Sequence, residues 1–139
     1  MNQLQKMMAS HPRPNSVANG LTGDVAHHIA MCAQICTSCA DACLAEPMVG
    51  ELARCIRLNL DCADVCATTS RVLIRQTESE PALIQELLRA CATACRLCAE
   101  ECEKHADMHD HCRICAEHCR QCVELCEQLL LAGPVASRA

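Results

Sequence analysis

The sequence has no aromatic residues: Trp, Tyr and Phe are all absent. These are the largest side chains that normally fill a domain core, so this core has to be built from Leu, Ile, Val, Ala and Cys. Glycine is also scarce, and proline is confined to Pro12, Pro14, Pro47, Pro81 and Pro134. Because Ala, Leu, Glu, Arg and Gln are plentiful between these breakers, the composition predicts an all-α protein.

Further absences narrow the function. No apolar run is long enough to span a bilayer, and residues 1–16 contain no apolar segment typical of a signal peptide. The net charge is −5, with acidic and basic residues interspersed, so there is no basic surface of the kind that binds nucleic acid or a membrane. We therefore expect a cytoplasmic protein whose thiols stay reduced.

Cysteine is abundant instead, with 16 in 139 residues. Cys91, Cys95, Cys98 and Cys102 recur at intervals of four, three and four. Residues three or four apart lie on the same face of an α-helix, so these four thiols form one stripe. Similar stripes occur in three other segments, which contain Cys32, Cys36, Cys39, Cys43, Cys55, Cys62, Cys66, Cys112, Cys115, Cys119, Cys122 and Cys126.

The four segments that carry these stripes predict four helices, at about residues 22–46, 49–76, 81–106 and 110–132. Ser79 is expected to cap the third helix, and Asp107 or Asp110 the fourth. The short loops favour an antiparallel up-down-up-down four-helix bundle with a Cys-lined core. We expect the bundle to span residues 21–133, with an N-terminal tail or short helix at 1–20 and a C-terminal tail at 134–139.

Three roles for such a stripe of thiols can be compared: disulfide formation, apolar packing and metal binding. Neighbours on one helix cannot form a disulfide, because their Cβ atoms lie about 5–6 Å apart, whereas a disulfide requires about 3.5–4.5 Å. Cysteine as a small apolar core residue explains one or two positions, but not a whole face. Thiolates are soft ligands that select Cu(I), zinc or iron–sulfur clusters, so metal binding is the best interpretation.

Among these metals, Cu(I) fits the pattern best. Iron–sulfur proteins use spacings such as C-x2-C-x2-C-x3-C, which do not occur here. Zinc requires four converging ligands, which four helices can supply, so a zinc-binding helical bundle remains an alternative. Cu(I) accepts two thiolates, and one monovalent ion per thiolate brings a buried core close to neutrality. We therefore expect a protein, not an enzyme, that binds multiple Cu(I) ions.

A thiol redox enzyme is the third hypothesis. It requires an exposed cysteine with a lowered pKa, and no cysteine in the sequence stands out in this way. The Cys-x2-Cys pairs also lie within predicted helices, without the βαβ context of redox motifs. This hypothesis is therefore the weakest of the three.

The two ends of the predicted bundle differ in character. Towards the turn at 77–80, the stripes continue into aliphatic residues, which predicts a sealed end formed by Leu73, Ile84, Leu88 and Leu129. His28, on the first stripe, is the exception. Towards the other end they continue into His and Met, which predicts a metal entrance formed by Met48, His105, Met108, His109 and His111. His105 and His109 are the preferred ligands because they stay in phase with the third stripe.

Other polar residues are weaker candidates. Asn59 stands where a cysteine would continue the second stripe, and Asp61 flanks it. His11, His27 and His118 are expected to be solvated surface residues.

The repeated helical Cys-x3-Cys in an aromatic-free sequence resembles the Csp copper-storage family over about residues 22–132. The missing leader is similar to its cytosolic bacterial branch. The resemblance implies a homotetramer that stores many Cu(I) ions, which enter at a His- or Met-bearing mouth. A copper donor or chaperone is a further expected partner. It also implies binding pairs at Cys32/Cys36, Cys39/Cys43, Cys62/Cys66, Cys91/Cys95, Cys98/Cys102, Cys115/Cys119 and Cys122/Cys126. Cys55 and Cys112 have no thiol four residues later. Because Asn59 departs from a full stripe of cysteines, the family's copper count is not transferred.

Overall fold

The computed structural model describes residues 1–14 and 19–133. Within these ranges the chain forms helices and no strand, which confirms the predicted all-α fold. The helices are α1 (Gln3–Ala9), α2 (Asn19–Leu44), α3 (Ala53–Leu73), α4 (Pro81–Glu103) and α5 (Asp110–Ala132), with a short 3₁₀ helix at Val49–Leu52. No helix in the described part has the combination of length and hydropathy needed to cross a membrane. The tail predicted at 134–139 lies outside the described residues.

Helices α2 to α5 form a four-helix bundle in which each helix packs against the next and α5 closes back onto α2. The thiol contacts give the direction of neighbouring helices. Cys55 contacts Cys102, whereas Cys66, later in α3, contacts Cys91, earlier in α4. Residue numbers therefore rise along α3 as they fall along α4, which is the predicted antiparallel arrangement.

The starts of three helices differ from the predictions. The second bundle helix begins with the 3₁₀ turn rather than as a regular helix. Ser79 does not cap α4, because the cap residue is Glu80 and the Ser79 hydroxyl donates instead to the Arg75 carbonyl oxygen at 2.7 Å. Asp110 is the first residue of α5, and its cap residue His109 makes no side-chain capping hydrogen bond.

Helix α1 covers one end of the bundle. Met8 is buried there, and the Gln76 side chain donates from Nε2 to the Met8 carbonyl oxygen at 2.9 Å. A Cβ atom on Gly23 would lie 2.7 Å from Cγ of Gln5, so glycine allows α1 to approach α2 closely. The aliphatic residues predicted to seal this end are buried: Leu73, Ile84, Leu88 and Leu129. We call it the closed end.

Replacing Leu88 by alanine tests the contribution of this aliphatic seal. Leu88 is fully buried, so Leu88→Ala is expected to lower the free energy of unfolding of the reduced, metal-free protein by about 2–5 kcal/mol. Urea denaturation followed by far-UV circular dichroism measures the change. Leu83 lies on the same helix but is 54% exposed, so Leu83→Ala is the control and should change stability by less than about 0.5 kcal/mol. Equal effects of the two substitutions would contradict the prediction.

Candidate metal centre

All 16 cysteines are buried and free of disulfides. Their stripes face the axis of the bundle, where sulfur atoms of neighbouring residues lie 3.6 to 4.0 Å apart. These distances correspond to contacts between thiols, well beyond the about 2.05 Å of a covalent S–S bond. We call this axial set of 16 cysteines the thiol column.

Cys36 is a central member of the thiol column. Its Sγ atom lies 3.7 Å from that of Cys119, 3.8 Å from those of Cys32 and Cys115, and 4.0 Å from that of Cys98. Cys98 is on α4, diagonally across the bundle from α2. The thiols therefore meet across the full width of the core, so ions bound along it would share sulfur ligands.

The sulfur atoms form overlapping groups of four. Within each group the ligand atoms all lie within 4.8 Å of one another. Three such groups are Cys32/Cys62/Cys66/Cys95, Cys32/Cys36/Cys62/Cys119 and Cys36/Cys98/Cys115/Cys119. Since each group shares a member with the next, the arrangement suits bridging thiolates rather than isolated mononuclear sites.

Asn59 interrupts the sulfur lining and is fully buried. Its Oδ1 accepts hydrogen bonds from the thiols of Cys98, Cys115 and Cys102 at 3.0, 3.4 and 3.5 Å, while its Nδ2 donates to Cys55 at 3.8 Å. The amide is therefore satisfied by four thiols in this structure. Deprotonation of these thiols would remove the donors that Oδ1 uses.

The end of the thiol column opposite α1 holds His111 against three thiols. The Nδ1 atom of His111 lies 3.5 Å from Sγ of Cys39, 3.6 Å from that of Cys112 and 4.0 Å from that of Cys43. These four residues also form a compact group of potential ligand atoms. We call this group the mouth of the column.

Glu46 orients the mouth histidine. The Nε2–H of His111 donates to Oε2 of Glu46 at 2.8 Å, which leaves Nδ1 with its lone pair directed at the thiols. A carboxylate behind a histidine in this way is typical of metal sites, where it fixes the ring and raises its basicity. The hydrogen bond from His111 lowers the pKa of Glu46. Burial alone would lower the pKa of His111, but its hydrogen bonds to Cys39 and Glu46 raise it overall.

The two histidines preferred from the sequence have other partners. His109 is buried, its Nδ1 lies 3.1 Å from Oε2 of Glu46, and its ring stacks on that of His111 with centroids 5.3 Å apart. Its Nε2 is buried with no hydrogen-bond partner in the described part of the chain. His105 is bonded through Nε2 to Oε2 of Glu101 at 3.1 Å. His109 therefore supports the mouth residues, whereas His105 is paired with the buried carboxylate of Glu101.

The remaining candidates lie at different depths. Met48 is half-buried and packs against the core, whereas Met108 is 62% exposed. Asp61 is paired with Arg57 at 3.0 Å on the surface of α3. Of these three, only Met48 is positioned by the fold close to the core.

Burial favours the neutral form of the thiols. It raises the pKa of Cys43 to about 11. Burial likewise raises the pKa of Cys112. Since a bare thiolate is costly in an apolar core, these cysteines are protonated at neutral pH until a cation replaces the proton.

His118 is a residue whose position the sequence reasoning missed. Instead of facing solvent freely, its Nε2–H donates to the carbonyl oxygen of His28 at 2.9 Å, and one of its ring nitrogens lies near the thiols of Cys32 and Cys122. The sequence does contain the signal, since His118 is three residues after Cys115 and four before Cys122.

The chain is similar to proteins that store copper. A family model described as copper storage protein matches residues 19–131. The copper storage protein Ccsp from Streptomyces lividans, loaded with 10 copper equivalents, is 43% identical, with a TM-score of 0.91 over 94% of this chain and 99% of that chain. A structure of a cytosolic copper storage protein from the same organism, with five coppers, is 49% identical, with a TM-score of 0.79 over 80% and 92% of the two chains. No curated protein sequence matches the chain.

Proposed function

The chain belongs to the copper storage protein family, and we propose that it stores copper as multiple Cu(I) ions bound by the thiol column. The observation that carries this proposal is the continuity of the column, in which 16 buried, unbridged cysteines form overlapping ligand groups. An enzyme requires one reactive group that contacts a substrate, whereas this core repeats one ligand type along its length. The proposed role is storage without a catalytic step.

The oxidation state follows from ligand chemistry and charge. Thiolates are soft ligands with a strong preference for Cu(I) among copper ions. In a core filled with cysteine, one monovalent ion for each deprotonated thiol preserves neutrality, whereas bare thiolates would be strongly unfavourable. The short sulfur contacts support binding by Cys-x3-Cys pairs, such as Cys32 with Cys36 at 3.8 Å and Cys62 with Cys66 at 3.8 Å.

The mouth is the proposed entrance. His111 offers an imidazole nitrogen beside three thiols and is half-buried at the end of the bundle, so an arriving ion can exchange its carrier for an imidazole before it reaches sulfur ligands only. His109 and Glu46 hold His111 in place. Met48, His105, Met108, Asn59 and Asp61 remain proposed auxiliary residues of the entrance or column.

Location and partners form part of the same proposal. The likeness to a cytosolic relative and the free thiols support a cytoplasmic location, where the reducing environment preserves both thiols and Cu(I). We propose a copper donor or chaperone as the source of the ions and a homotetramer as the assembly, both of which stand on the family resemblance.

Anaerobic titration tests the proposal. The fully reduced chain is titrated with Cu(I) in the presence of a strong Cu(I) chelator, and bound copper is measured after gel filtration. Tight binding of many ions per chain, at about one for each one or two thiols, is expected. Saturation at one or two ions would refute storage. A copy alkylated at every cysteine is the control for copper that adheres elsewhere.

Zinc binding is the second candidate, because the mouth combines three thiols and one imidazole, a ligand set typical of structural zinc sites. The same titration with Zn(II) distinguishes the two metals. Preference for zinc predicts about four sulfur or nitrogen ligands per ion, retained in competition with Cu(I). Displacement of zinc by Cu(I) throughout the column supports copper storage.

Copper loading is expected to release protons, because burial raises the pKa of thiols such as Cys43 and Cys112. Each ion bound by a cysteine pair should displace about two protons at neutral pH, or about one where thiolates bridge ions. Since protons compete with the metal, the apparent affinity should fall as the pH falls. A pH indicator in weakly buffered, anaerobic solution measures the release. Loading without proton release would mean that the thiols are already ionised.

A further inference from the structure

A second imidazole reaches the thiol column from the side of the bundle. One ring nitrogen of His118 and the Sγ atoms of Cys32 and Cys122 all lie within 4.8 Å of one another. His118 and Cys122 belong to α5 and Cys32 belongs to α2, so the three ligand atoms span the seam between these helices. The two cysteines are buried, whereas His118 is partly exposed, so this group connects the core with the surface.

The backbone of α2 orients the His118 ring. The Nε2–H of His118 donates to the carbonyl oxygen of His28 at 2.9 Å, and the Cys122 thiol lies 3.6 Å from the same oxygen. With the proton on Nε2, the ring keeps a lone pair on Nδ1, and in the proposed site Nδ1 would be the metal ligand. Histidines that bind metals commonly donate their other N–H to a backbone carbonyl in this way, which fixes the tautomer and the ring orientation.

Two more imidazoles lie close to His118. The ring of His28 is 6.1 Å from that of His118 and 5.6 Å from that of His27, and Nε2 of His28 lies 3.5 Å from a carboxylate oxygen of Asp24. The side chain of His28 is 28% exposed. A purely structural role would explain the hydrogen bond of His118, but it gives no reason for an imidazole nitrogen to lie within 4.8 Å of two core thiols.

The group lies well below the mouth. His118 follows His111 by seven residues, which corresponds to about 10 Å along α5 at about 1.5 Å per residue. Cys32 also belongs to two of the sulfur groups of the column, those with Cys62 and Cys66. An ion held at the seam would therefore share a ligand with the half of the column nearer the closed end.

We propose that Cys32, Cys122 and His118 form a lateral Cu(I) site, through which copper exchanges between solvent and the deeper half of the column without passing the mouth. Two thiolates and one imidazole provide a three-coordinate site whose ligands suit Cu(I). On binding, the two thiol protons leave to solvent and the oxidation state of the metal does not change. This inference rests on the proposed storage function.

Replacing His118 by glutamine removes the imidazole ligand but keeps an N–H donor for the His28 carbonyl. His11→Gln is the matched control, because His11 contacts Thr77 at the closed end. We expect anomalous diffraction from the Cu(I)-saturated protein to locate an ion bonded to both sulfurs and a His118 nitrogen. We also expect Cu(I) to shift the ring ¹⁵N resonances of His118 but not those of His11.

Uptake kinetics distinguish a site through which copper enters the column from a site that only binds an ion. In a His111→Phe background, which impairs the mouth, adding His118→Gln should slow the remaining copper uptake by roughly tenfold, equivalent to about 1.4 kcal/mol in the barrier. Adding His11→Gln should not change it. Unfolding measurements on the metal-free variants show whether His118→Gln affects folding, and a change in stability without a change in uptake would contradict the proposal.

The outcomes also separate this inference from the storage function. A filled column with no ion at the seam and unshifted His118 resonances would overturn the lateral site while leaving storage intact. A column that binds no copper would overturn the storage function itself.

Discussion

Replacing Cys36 by serine is expected to remove more copper than the loss of one ligand would suggest. Cys36 contacts four other thiols, on α2, α4 and α5, and belongs to two overlapping ligand groups. Serine keeps the size but offers a hard oxygen that binds Cu(I) poorly. The capacity in anaerobic titration should fall by about two ions or more, and the affinity of the neighbouring ions should fall by roughly tenfold, or about 1.4 kcal/mol.

Cys43→Ser is the matched control for this experiment. Cys43 is equally buried, but it belongs to the mouth group, where His111 offers a further ligand. Its replacement should reduce the capacity by about one ion and leave the affinity of the deeper ions unchanged. If both variants lose the same number of ions, the sites are independent and the idea of shared sulfur ligands is wrong. Circular dichroism of the metal-free variants checks that both are folded.

Replacing His111 by phenylalanine is expected to slow copper uptake by roughly tenfold, which corresponds to an increase of about 1.4 kcal/mol in the barrier. Phenylalanine preserves a planar ring but removes the nitrogen that lies 3.5 to 4.0 Å from three thiols. Stopped-flow measurement of Cu(I)–thiolate absorbance gives the rate, and titration gives the final capacity. The rate should change much more than the capacity.

The uptake rate of the His111→Phe variant can be compared with the rates of two other variants, His105→Phe and His109→Phe. His105 is bonded to Glu101, and His109 shares Glu46 with His111. His109→Phe is therefore expected to have an intermediate effect, through the orientation of His111, and His105→Phe a small one. Equal uptake rates for the wild-type protein and all three variants would remove the histidines from the entrance and leave the thiols as the first ligands.

The periodicity of the cysteines predicted the bundle and its interior well. The four stripes keep the period of a helix over residues that are helical, so position in the sequence translates into direction in space. The aliphatic continuation at Leu73, Ile84, Leu88 and Leu129 correctly predicted a closed end, and these residues are buried there. Without aromatic residues, little else in the sequence could compete for the core.

The same extrapolation was less informative at the open end, because the helix does not continue there. Helix α4 ends at Glu103 and α5 begins at Asp110, so His105 and His109 lie in the connection between the two helices. Helical periodicity does not predict the direction of their side chains there. His109 has an extended backbone with φ −135. His111 is in the first turn of α5, and only the packing of α5 against α2 brings it to Cys39 and Cys43.

The spacing of His118 from Cys115 and Cys122 places it near the fourth stripe, but this spacing alone did not fix which way its side chain points. His118 is flanked by Glu117 and by the buried Cys119, so its neighbours alone do not say whether it faces the seam or solvent. The hydrogen bond to the His28 carbonyl decides this, and it depends on the distance between two helices that are far apart in sequence.

Helix α1 covers one end of the bundle, and this has a consequence for the residence time of the stored copper. A column with the mouth as its single exit would empty in the reverse of the order in which it fills, so copper near Leu88 would leave last and copper near His111 first. Exchange at the proposed lateral site between α2 and α5 would instead give the deeper copper a second exit and shorten its residence time. Loading one copper isotope before another distinguishes these cases. Late release of the first isotope indicates exit through the mouth alone, and its early release indicates exchange at the α2–α5 seam.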